Sequence, residues 1–306
     1  MRTFLRKVLL FFLVLIIVDL LFGVVFQYMN DNSKGGGVRS RYYVCKESNE
    51  DVLIFGSSRA KHHYVPDIIE DSLKLSCYNT GEDGNGIIYC YGVLKMITSR
   101  YTPKLIVYDV SGYDIYQDDN MKYLDLMKPY YYETGIDSIF WRVEPKTRLM
   151  MLSNIYRFNT TCLRVAGNFF RPMTVYPKGY SALSGVMNYE PILNEEASTT
   201  QSNQKVDSLK LAYFERFILT TKELGITLVC CVSPTYKGKE SDPYYTPIEQ
   251  LCNKYRIPFL YYGGDKGIVI NKDLFQDKTH MNNIGATCYS SKLGGDLKSI
   301  FKYSEL

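Results

Sequence analysis

The residues best suited to chemistry are two adjacent serines near the start of the chain and a histidine near its end. Residues 56–59 read Gly-Ser-Ser-Arg and follow an apolar run at 52–55, while Asp277 stands three positions before His280. A histidine accepts a proton from a serine hydroxyl only when its tautomer and orientation are fixed, usually by a carboxylate on the other ring nitrogen. One loop could supply both of these groups. The two blocks therefore predict a serine nucleophile, Ser58, with His280 as its base.

Other interpretations of these residues are open. The Gly-Ser-Ser segment is equally typical of a polar turn from strand to helix, with a hydroxyl capping the helix. His62 and His63 are the other histidines of the chain, four and five positions after Ser58. A helix would direct them away from the turn that presents the serine, and the closest downstream carboxylate, Asp67, is poorly spaced to orient them. Both are therefore weaker candidates for a base than His280.

The elements that must position these groups follow from the apolar pattern, because short apolar runs bounded by turn signals indicate buried strands. Strands are predicted at residues 52–55, 76–79, 105–110, 226–232 and 257–261, and helices at 66–75, 84–100, 206–224, 246–255 and 283–301. This alternation predicts an α/β fold, a flavodoxin-like, three-layer, doubly wound parallel sheet with right-handed crossovers. Ligands bind such sheets at the carboxyl ends of the strands. Ser58 and His280 can meet at that edge.

A long insertion interrupts the alternation. The pattern stops at Ser111 and resumes near Lys205, so an insertion is predicted at about residues 112–205, too long for a plain loop. Insertions at this edge commonly form lids or substrate walls. Residues 130–132, all tyrosine, and Trp141 are candidates for stacking on a sugar, although plain packing is the favoured interpretation of each.

The amino terminus predicts a membrane anchor. Basic residues at positions 2, 6 and 7 precede an apolar run at 8–26, which is long enough for one membrane-spanning helix with its positive end in the cytoplasm. A cleaved signal peptide is the alternative, but the run is long and no small-x-small cleavage site follows it closely. We expect an anchor at residues 1–28, a flexible tether at 29–48 and the remaining chain, 49–306, outside the cytoplasm. Asp19 within the run must face a partner or lie near the outer interface.

Composition excludes some classes of function. A net charge of +4 without a basic run interleaved with aromatic residues argues against nucleic-acid binding. The eight cysteines lack C-x-x-C or metal-ligand spacing, so most are expected to be small core residues. No metal site and no cofactor are therefore expected.

Three blocks together resemble the SGNH/GDSL hydrolase superfamily. They are residues 56–59 after the first strand, Gly81 after the second, and Asp277-x-x-His280 before the last helix, followed by Asn282, Gly285 and Ala286. The chain is similar, more narrowly, to the membrane-anchored branch related to alginate O-acetyltransferase proteins and the D-alanyl-lipoteichoic acid transfer protein. The resemblance covers about residues 51–301, apart from the insertion, and implies the SGNH-hydrolase fold.

The resemblance implies a role for each matching residue. Ser58 would be the nucleophile, His280 the general base and Asp277 its orienting carboxylate, while the backbone N–H groups of Ser58 and Gly81 would bind the oxyanion. Preorganised donors of this kind are each worth about 10² to 10³ in rate.

The chain departs from the family pattern in two places. Ser57 stands where the family has an aspartate, and residues 107–114 lack the asparagine that often completes the oxyanion site. Asn79 is a candidate substitute, although a turn role is the favoured interpretation of this residue. An α/β-hydrolase elbow fits less well, because only an anchor and a tether precede the serine strand and Ala60 replaces the second glycine.

These features predict a membrane-anchored, extracytoplasmic acyltransferase or esterase, single-pass in the cytoplasmic (inner) membrane. It would act through a seryl acyl-enzyme on O-acyl groups of a cell-envelope or secreted glycan. By analogy with the family, a multispan membrane acyltransferase is an expected partner. The alternative is a catalytically inactive glycan-binding or assembly subunit, motivated by the missing asparagine and the aromatic insertion.

Overall fold

The computed structural model describes residues 1–171, 176–188 and 205–304. The chain divides into two compact units. The first combines Met1–Tyr43 with Asn120–Val175, and the second combines Val44–Asp119 with Tyr176–Leu306. The predicted insertion at 112–205 is therefore shared between the units, and its residues 172–175 and 189–204 lie outside the described part of the chain.

The second unit is built on a five-stranded sheet. Its strands are β1 (Val52–Gly56), β2 (Cys77–Asn79), β3 (Leu105–Asp109), β4 (Thr227–Val232) and β5 (Phe259–Tyr261). Their order is β2-β1-β3-β4-β5, and every neighbouring pair is parallel. This is the predicted α/β doubly wound sheet with a flavodoxin-like strand order.

Helices cover both faces of the sheet, at positions close to those predicted. They are α3 (Ser58–His63), α4 (Pro66–Leu73), α5 (Ile87–Thr98), α10 (Ser208–Glu223), α11 (Thr246–Tyr255), α12 (Lys266–Val269) and α13 (Asn283–Ser304). Short 3₁₀ turns lie at Gly112–Asp114, Pro177–Gly179, Pro243–Tyr245 and Lys272–Leu274. Asp207 begins α10 by accepting hydrogen bonds from the N–H groups of Leu209 and Lys210, which satisfies donors that a helix start leaves unpaired.

The apolar strands form because both faces of the sheet are covered. Every residue of β1 and β3 is buried, and on one face the ring of Phe55 meets Phe217 of α10 at 5.4 Å between centroids. On the other face, Tyr289 of α13 packs edge-on against Tyr64 at 5.2 Å. Gly56 is paired with Asp109, so β1 and β3 end at the same level. The crevice where the strand order reverses therefore opens beside Ser58.

The first unit contains the long amino-terminal helix α1 (Arg2–Asp31) and the helices α6 (Ile136–Val143), α7 (Thr147–Met150), α8 (Asn154–Phe158) and α9 (Cys162–Phe170), with a 3₁₀ segment at Lys122–Tyr130. Helix α1 has a mean hydropathy of 3.2 over its most apolar window and is long enough to cross a membrane, which is compatible with the predicted anchor.

The predicted flexible tether at residues 29–48 is replaced by a helix, α2 (Gly36–Lys46). Its residues Val38 and Arg41 are buried, so this segment is packed. The polar composition of the segment suggested a linker, because its three consecutive glycines disfavour a helix and the packing that offsets this cost is invisible in the sequence.

Candidate active site

Ser58 is presented by a sharp turn between β1 and α3. Gly56 has φ of 139°, and a Cβ there would come within 2.7 Å of the Asp109 carbonyl oxygen, so the turn requires glycine. Ser58 is the first residue of α3. The hydroxyl of Ser57 does not cap this helix and makes no hydrogen bond with any described residue. The interpretation of these serines as a simple hydroxyl cap is therefore wrong.

The structure brings Ser58, His280 and Asp277 into one line. His280 Nε2 lies 2.8 Å from Ser58 Oγ, and His280 Nδ1 lies 3.0 Å from Asp277 Oδ2. Because a carboxylate only accepts, Nδ1 carries the proton and Nε2 presents its lone pair to the serine. This is the tautomer that a general base needs.

The loop that carries Asp277 also fixes the carboxylate. Asp277 Oδ1 accepts hydrogen bonds from the backbone N–H groups of Thr279, at 2.7 Å, and His280, at 2.9 Å. Burial alone would raise the pKa of Asp277, but these bonds and the one from the His280 ring outweigh it, so the pKa is lowered from its ordinary 3.8. The carboxylate is therefore ionised at neutral pH, which stabilises a protonated His280.

The residues after His280 hold this loop against α13. Asn282 Oδ1 accepts hydrogen bonds from the N–H groups of Ile284 and Gly285, both at 3.1 Å, as an N-cap does. A Cβ on Gly285 would come within 2.2 Å of the Leu274 carbonyl oxygen, so the helix start requires glycine there. These positions of the predicted block have structural rather than chemical roles.

His63 supports the loop from inside the protein. It is fully buried, and its Nε2 accepts from the N–H of Met281 at 3.0 Å, so its Nδ1 donates to Ser233 Oγ, also at 3.0 Å. Burial and then the charge of Arg59 lower the pKa of His63 well below its usual value, which keeps the ring neutral. His63 thus positions the residue next to His280.

His62 has a different set of partners. Its Nε2 lies 3.2 Å from Asp83 Oδ1 and its Nδ1 lies 2.6 Å from the Ser181 carbonyl oxygen. A carboxylate is therefore available to His62 after all, from Asp83 rather than Asp67. Because both ring nitrogens are engaged, His62 has no free lone pair to offer Ser58.

Arg59, the residue after Ser58, is buried. Its Nε lies 3.3 Å from Asp109 Oδ2, and its Nη2 donates to the carbonyl of Val110. Burial alone would lower the pKa of Arg59, but the Asp109 carboxylate raises it above its usual range. Tyr64 also donates to Asp109, at 2.7 Å. This pair ties α3 to the end of β3, and so fixes the helix that begins with Ser58.

The predicted oxyanion donors differ in their surroundings. The N–H of Ser58 lies in the first turn of α3, where helical N–H groups have no intrahelical partner. The N–H of Gly81 instead donates to Asn79 Oδ1 at 2.9 Å. The Asn79 amide donates to the carbonyls of Ala60, at 2.7 Å, and Tyr64, at 3.0 Å, so Asn79 is a structural residue and its suggested oxyanion role is not supported. The role of Gly81 stays a prediction.

A large cleft of about 1430 Å³ opens beside the serine and histidine. Tyrosines line much of it, at positions 113, 116, 236, 244, 245 and 261, on the segments that follow β3 and β4 and at the end of β5. Tyr116 and Tyr244 stack, with centroids 4.3 Å apart, and Tyr116 donates to the Tyr244 carbonyl at 2.8 Å. A Cβ on Gly112 would collide with the Tyr244 hydroxyl, so glycine lets that ring approach.

The aromatic residues singled out from the sequence lie elsewhere, in the first unit. Tyr130 and Tyr131 are buried, and Trp141 Nε1 donates to the Tyr131 hydroxyl at 2.7 Å. None of residues 130–132 or Trp141 lines the cleft. The cleft tyrosines share one signal that could have identified them, since they stand at or after the carboxyl ends of predicted strands, where ligands bind.

Within the described ranges, no cluster of three or more His, Cys, Asp or Glu side chains is arranged to hold a metal ion. The eight cysteines are free, and six of them are buried.

Comparison with known proteins gives a match among solved structures. No family model matches the chain, and no curated protein matches it. Among solved structures, the crystal structure of an acetyl xylan esterase, AlAXEase, is similar at 14% identity, with a TM-score of 0.41, over 81% of this chain and 98% of that one. At this level of similarity the match carries no weight for function, which must be argued from the residues of the site.

Proposed function

We propose that this chain is a serine-dependent enzyme of the SGNH type that cleaves or transfers O-acyl groups. The observation that carries the proposal is the line from Ser58 Oγ to His280 Nε2, 2.8 Å, and from His280 Nδ1 to Asp277 Oδ2, 3.0 Å. A hydroxyl, an imidazole and a carboxylate in this order make a nucleophile from a weakly acidic alcohol.

The chemistry runs in two balanced steps. His280 Nε2 takes the Ser58 proton while Oγ bonds to the ester carbonyl carbon, and the same proton then passes to the departing alcohol as its C–O bond breaks. The acyl-serine that results is attacked by water or by a sugar hydroxyl, whose proton His280 accepts and returns to Ser58 Oγ. Water gives hydrolysis, and a sugar gives transfer.

The oxyanion that forms in each step needs donors. The N–H of Ser58 is the first of them, and we retain Gly81 as the second, which requires its N–H to leave Asn79 Oδ1 when substrate binds. Each such donor is worth about 10² to 10³ in rate.

The proposed substrate is an O-acylated glycan. The volume of the cleft, about 1430 Å³, exceeds the roughly 300 to 1,000 Å³ that is typical of small-molecule sites. Tyrosine rings offer flat apolar faces beside hydroxyl groups, which suits sugars. The lysines at 237, 239 and 278 add positive charge to the same cleft, which would favour an anionic polymer.

We further propose that α1 anchors the enzyme in the cytoplasmic membrane as a single pass, with the second unit outside the cytoplasm. The basic residues before the apolar run support this orientation. A multispan membrane acyltransferase that hands acyl groups to Ser58 is the partner proposed from the family resemblance.

The test is covalent trapping of the serine in the full-length, detergent-purified protein. A fluorophosphonate probe is expected to label the wild type, with the adduct mapped to the peptide containing Ser58. Labelling should disappear in Ser58→Ala and persist in the matched control Ser57→Ala, whose hydroxyl makes no hydrogen bond to a described residue. A wild-type protein that resists the probe would favour the second candidate, an inactive glycan-binding or assembly subunit.

A second experiment examines the cleft. Tyr244→Ala is expected to lower kcat/KM for an acetylated oligosaccharide by about twofold to tenfold more than for a small chromogenic acetate, because one aromatic contact is worth about 0.5 to 1.5 kcal/mol. Tyr255→Ala is the matched control, since Tyr255 lies on α11 away from the cleft, bonded to Glu215. Equal losses on both substrates would remove Tyr244 from the glycan site.

A further inference from the structure

The carboxylate of Asp19, inside the apolar helix α1, is fully engaged by another segment of the first unit. Its Oδ1 accepts from Ser153 Oγ at 2.7 Å and from the N–H of Ile155 at 2.9 Å. Its Oδ2 accepts from the N–H of Asn154 at 2.9 Å and from Asn154 Nδ2 at 3.0 Å. Asp19 therefore faces a protein partner, the turn that begins α8, which answers the question that the sequence left open.

The same contact continues along α1 toward its carboxyl end. Gly23, one turn further on, is buried, and a Cβ there would lie 2.4 Å from the Asn154 side chain. Glycine thus makes room for the Asn154 side chain against α1. Ring contacts extend the packing, with Phe26 against Phe158 at 5.9 Å and Tyr28 against Phe169 at 6.0 Å. Helices α8 and α9 accordingly follow α1 from Asp19 to near its end.

A membrane-spanning α1 fixes the depth of Asp19. The apolar run begins after Lys7, and twelve residues at about 1.5 Å each place Asp19 about 18 Å along it. The hydrocarbon core of a bilayer is about 30 Å thick. Asp19 then lies below the far headgroups, where a bare carboxylate would be costly. Since residues 153–155 bond directly to Asp19, they must lie at the same depth.

A cation accompanies the carboxylate. Arg157 is buried, and its Nη2 donates to Asn154 Oδ1 at 2.9 Å, while Asn154 Nδ2 donates to Asp19. Two hydrogen bonds through Asn154 therefore link the negative charge of Asp19 to the positive charge of Arg157. Such pairing is the usual way in which ionisable groups are tolerated in a membrane.

The surface around this turn is apolar and exposed. Leu152, between α7 and α8, is 71% exposed, and Leu163 of α9 is 87% exposed. Leu149 of α7, Ile155 of α8 and Phe170 of α9 are exposed as well. Clusters of exposed apolar side chains, unlike single ones, mark contacts with a protein or a membrane. Here the patch adjoins the exposed apolar side chains of α1, and basic residues at 146, 148 and 164 accompany it, as on segments that lie in a bilayer interface.

We propose that residues 147–170 insert beside α1 into the leaflet that its carboxyl half crosses, with the exposed leucines in lipid. The Asp19 hydrogen bonds set the depth of this segment. The inference rests on the membrane anchoring proposed above. It makes this part of the insertion a membrane-embedded surface rather than a lid or substrate wall. The occupant of the apolar patch is lipid, because the patch continues the surface that α1 already presents to lipid.

The test measures the depth of single labels in the full chain. A Cys162→Ser/Cys288→Ser background removes the half-buried and the exposed cysteine, leaving six buried ones. An environment-sensitive fluorophore is placed on Leu152→Cys or, independently, on Leu163→Cys. The protein is reconstituted into phosphatidylcholine and phosphatidylglycerol vesicles that contain acyl-brominated lipid.

The emission maximum of each label is expected to shift to shorter wavelength, and the brominated acyl chains are expected to quench its fluorescence. Val14→Cys in α1 is the positive control for quenching. Leu219→Cys, at an exposed apolar position on α10 of the second unit, is the water-exposed control. In Asp19→Leu the quenching at position 152 should be lost, whereas Asp19→Asn, which keeps an acceptor, should retain it.

The outcomes separate the two proposals. If the label at position 14 is quenched but those at 152 and 163 are not, α1 is anchored, residues 147–170 lie outside the membrane, and the proposal is overturned. Shielding of these positions only in native membranes, without quenching in pure lipid vesicles, would identify a protein partner and also overturn it. If Val14 is not quenched either, the membrane anchor fails with it.

Discussion

Replacing His280 with alanine is expected to lower kcat/KM on a chromogenic acetate by about 10⁴- to 10⁶-fold, as triad members do when they act as one unit. The reason is that Ser58 loses the only group that the structure places within hydrogen-bond reach to remove its proton among the described residues. Ser58→Ala should cost as much, and the double variant Ser58→Ala/His280→Ala little more than either alone. The measurement is steady-state hydrolysis by the purified full chain.

The matched control is His62→Ala. Its ring lies 5.7 Å from that of His280, centroid to centroid, but both of its nitrogens are already engaged. We expect a loss far smaller than that of His280→Ala. A comparable loss from both histidines would mean that the general base has been wrongly assigned, and activity that survives Ser58→Ala would exclude the acyl-enzyme.

The pH dependence of stability follows from the lowered pKa of Asp277. Because the pKa of Asp277 lies below 3.8 in the folded protein, its carboxylate contributes stability that is present above the unfolded value and is lost as pH falls through the folded value. Asp277 therefore remains ionised through the range in which His280 must act as a base.

The second large effect is expected on stability. Arg59→Leu leaves Asp109 buried without its counter-ion, and breaking a buried pair in this way costs about 3 to 5 kcal/mol. Chemical denaturation of the full chain, followed by the fluorescence of its tyrosines, measures the loss. Arg59→Lys should recover only part of it, because lysine cannot reproduce the separate bonds of the guanidinium to Asp109, Val110 and Ser233.

A matched control is Lys254→Ala, which removes an exposed ion pair with Glu215. Exposed pairs contribute about 0 to 1 kcal/mol, so this change should be nearly neutral. If Arg59→Leu were equally neutral, Arg59 would not hold α3 in place, and the positioning of Ser58 would need another explanation.

How much of this could be predicted from the sequence depends on the range of each interaction. The strands and the Asp277–His280 pair were predictable, because an apolar run and a three-residue spacing are local patterns. The partners of Arg59 were not, since Asp109 lies fifty positions away on a strand that becomes a neighbour only when the sheet forms. The cleft tyrosines were missed although they stand at or after strand ends, because they converge from several loops and each alone resembles an ordinary surface aromatic.

The short edge strand β2 has a consequence for how the proposed activity would be lost. Helix α3 has six residues, too few to persist alone, and its last carbonyls depend on the amide of Asn79, the final residue of β2. With three residues at the border of the sheet, β2 is a candidate for local opening well below the free energy of global unfolding. Fraying of β2 would misplace the nucleophile while the rest of the core stayed intact. Heating is therefore expected to abolish the proposed activity at a temperature below that of global unfolding.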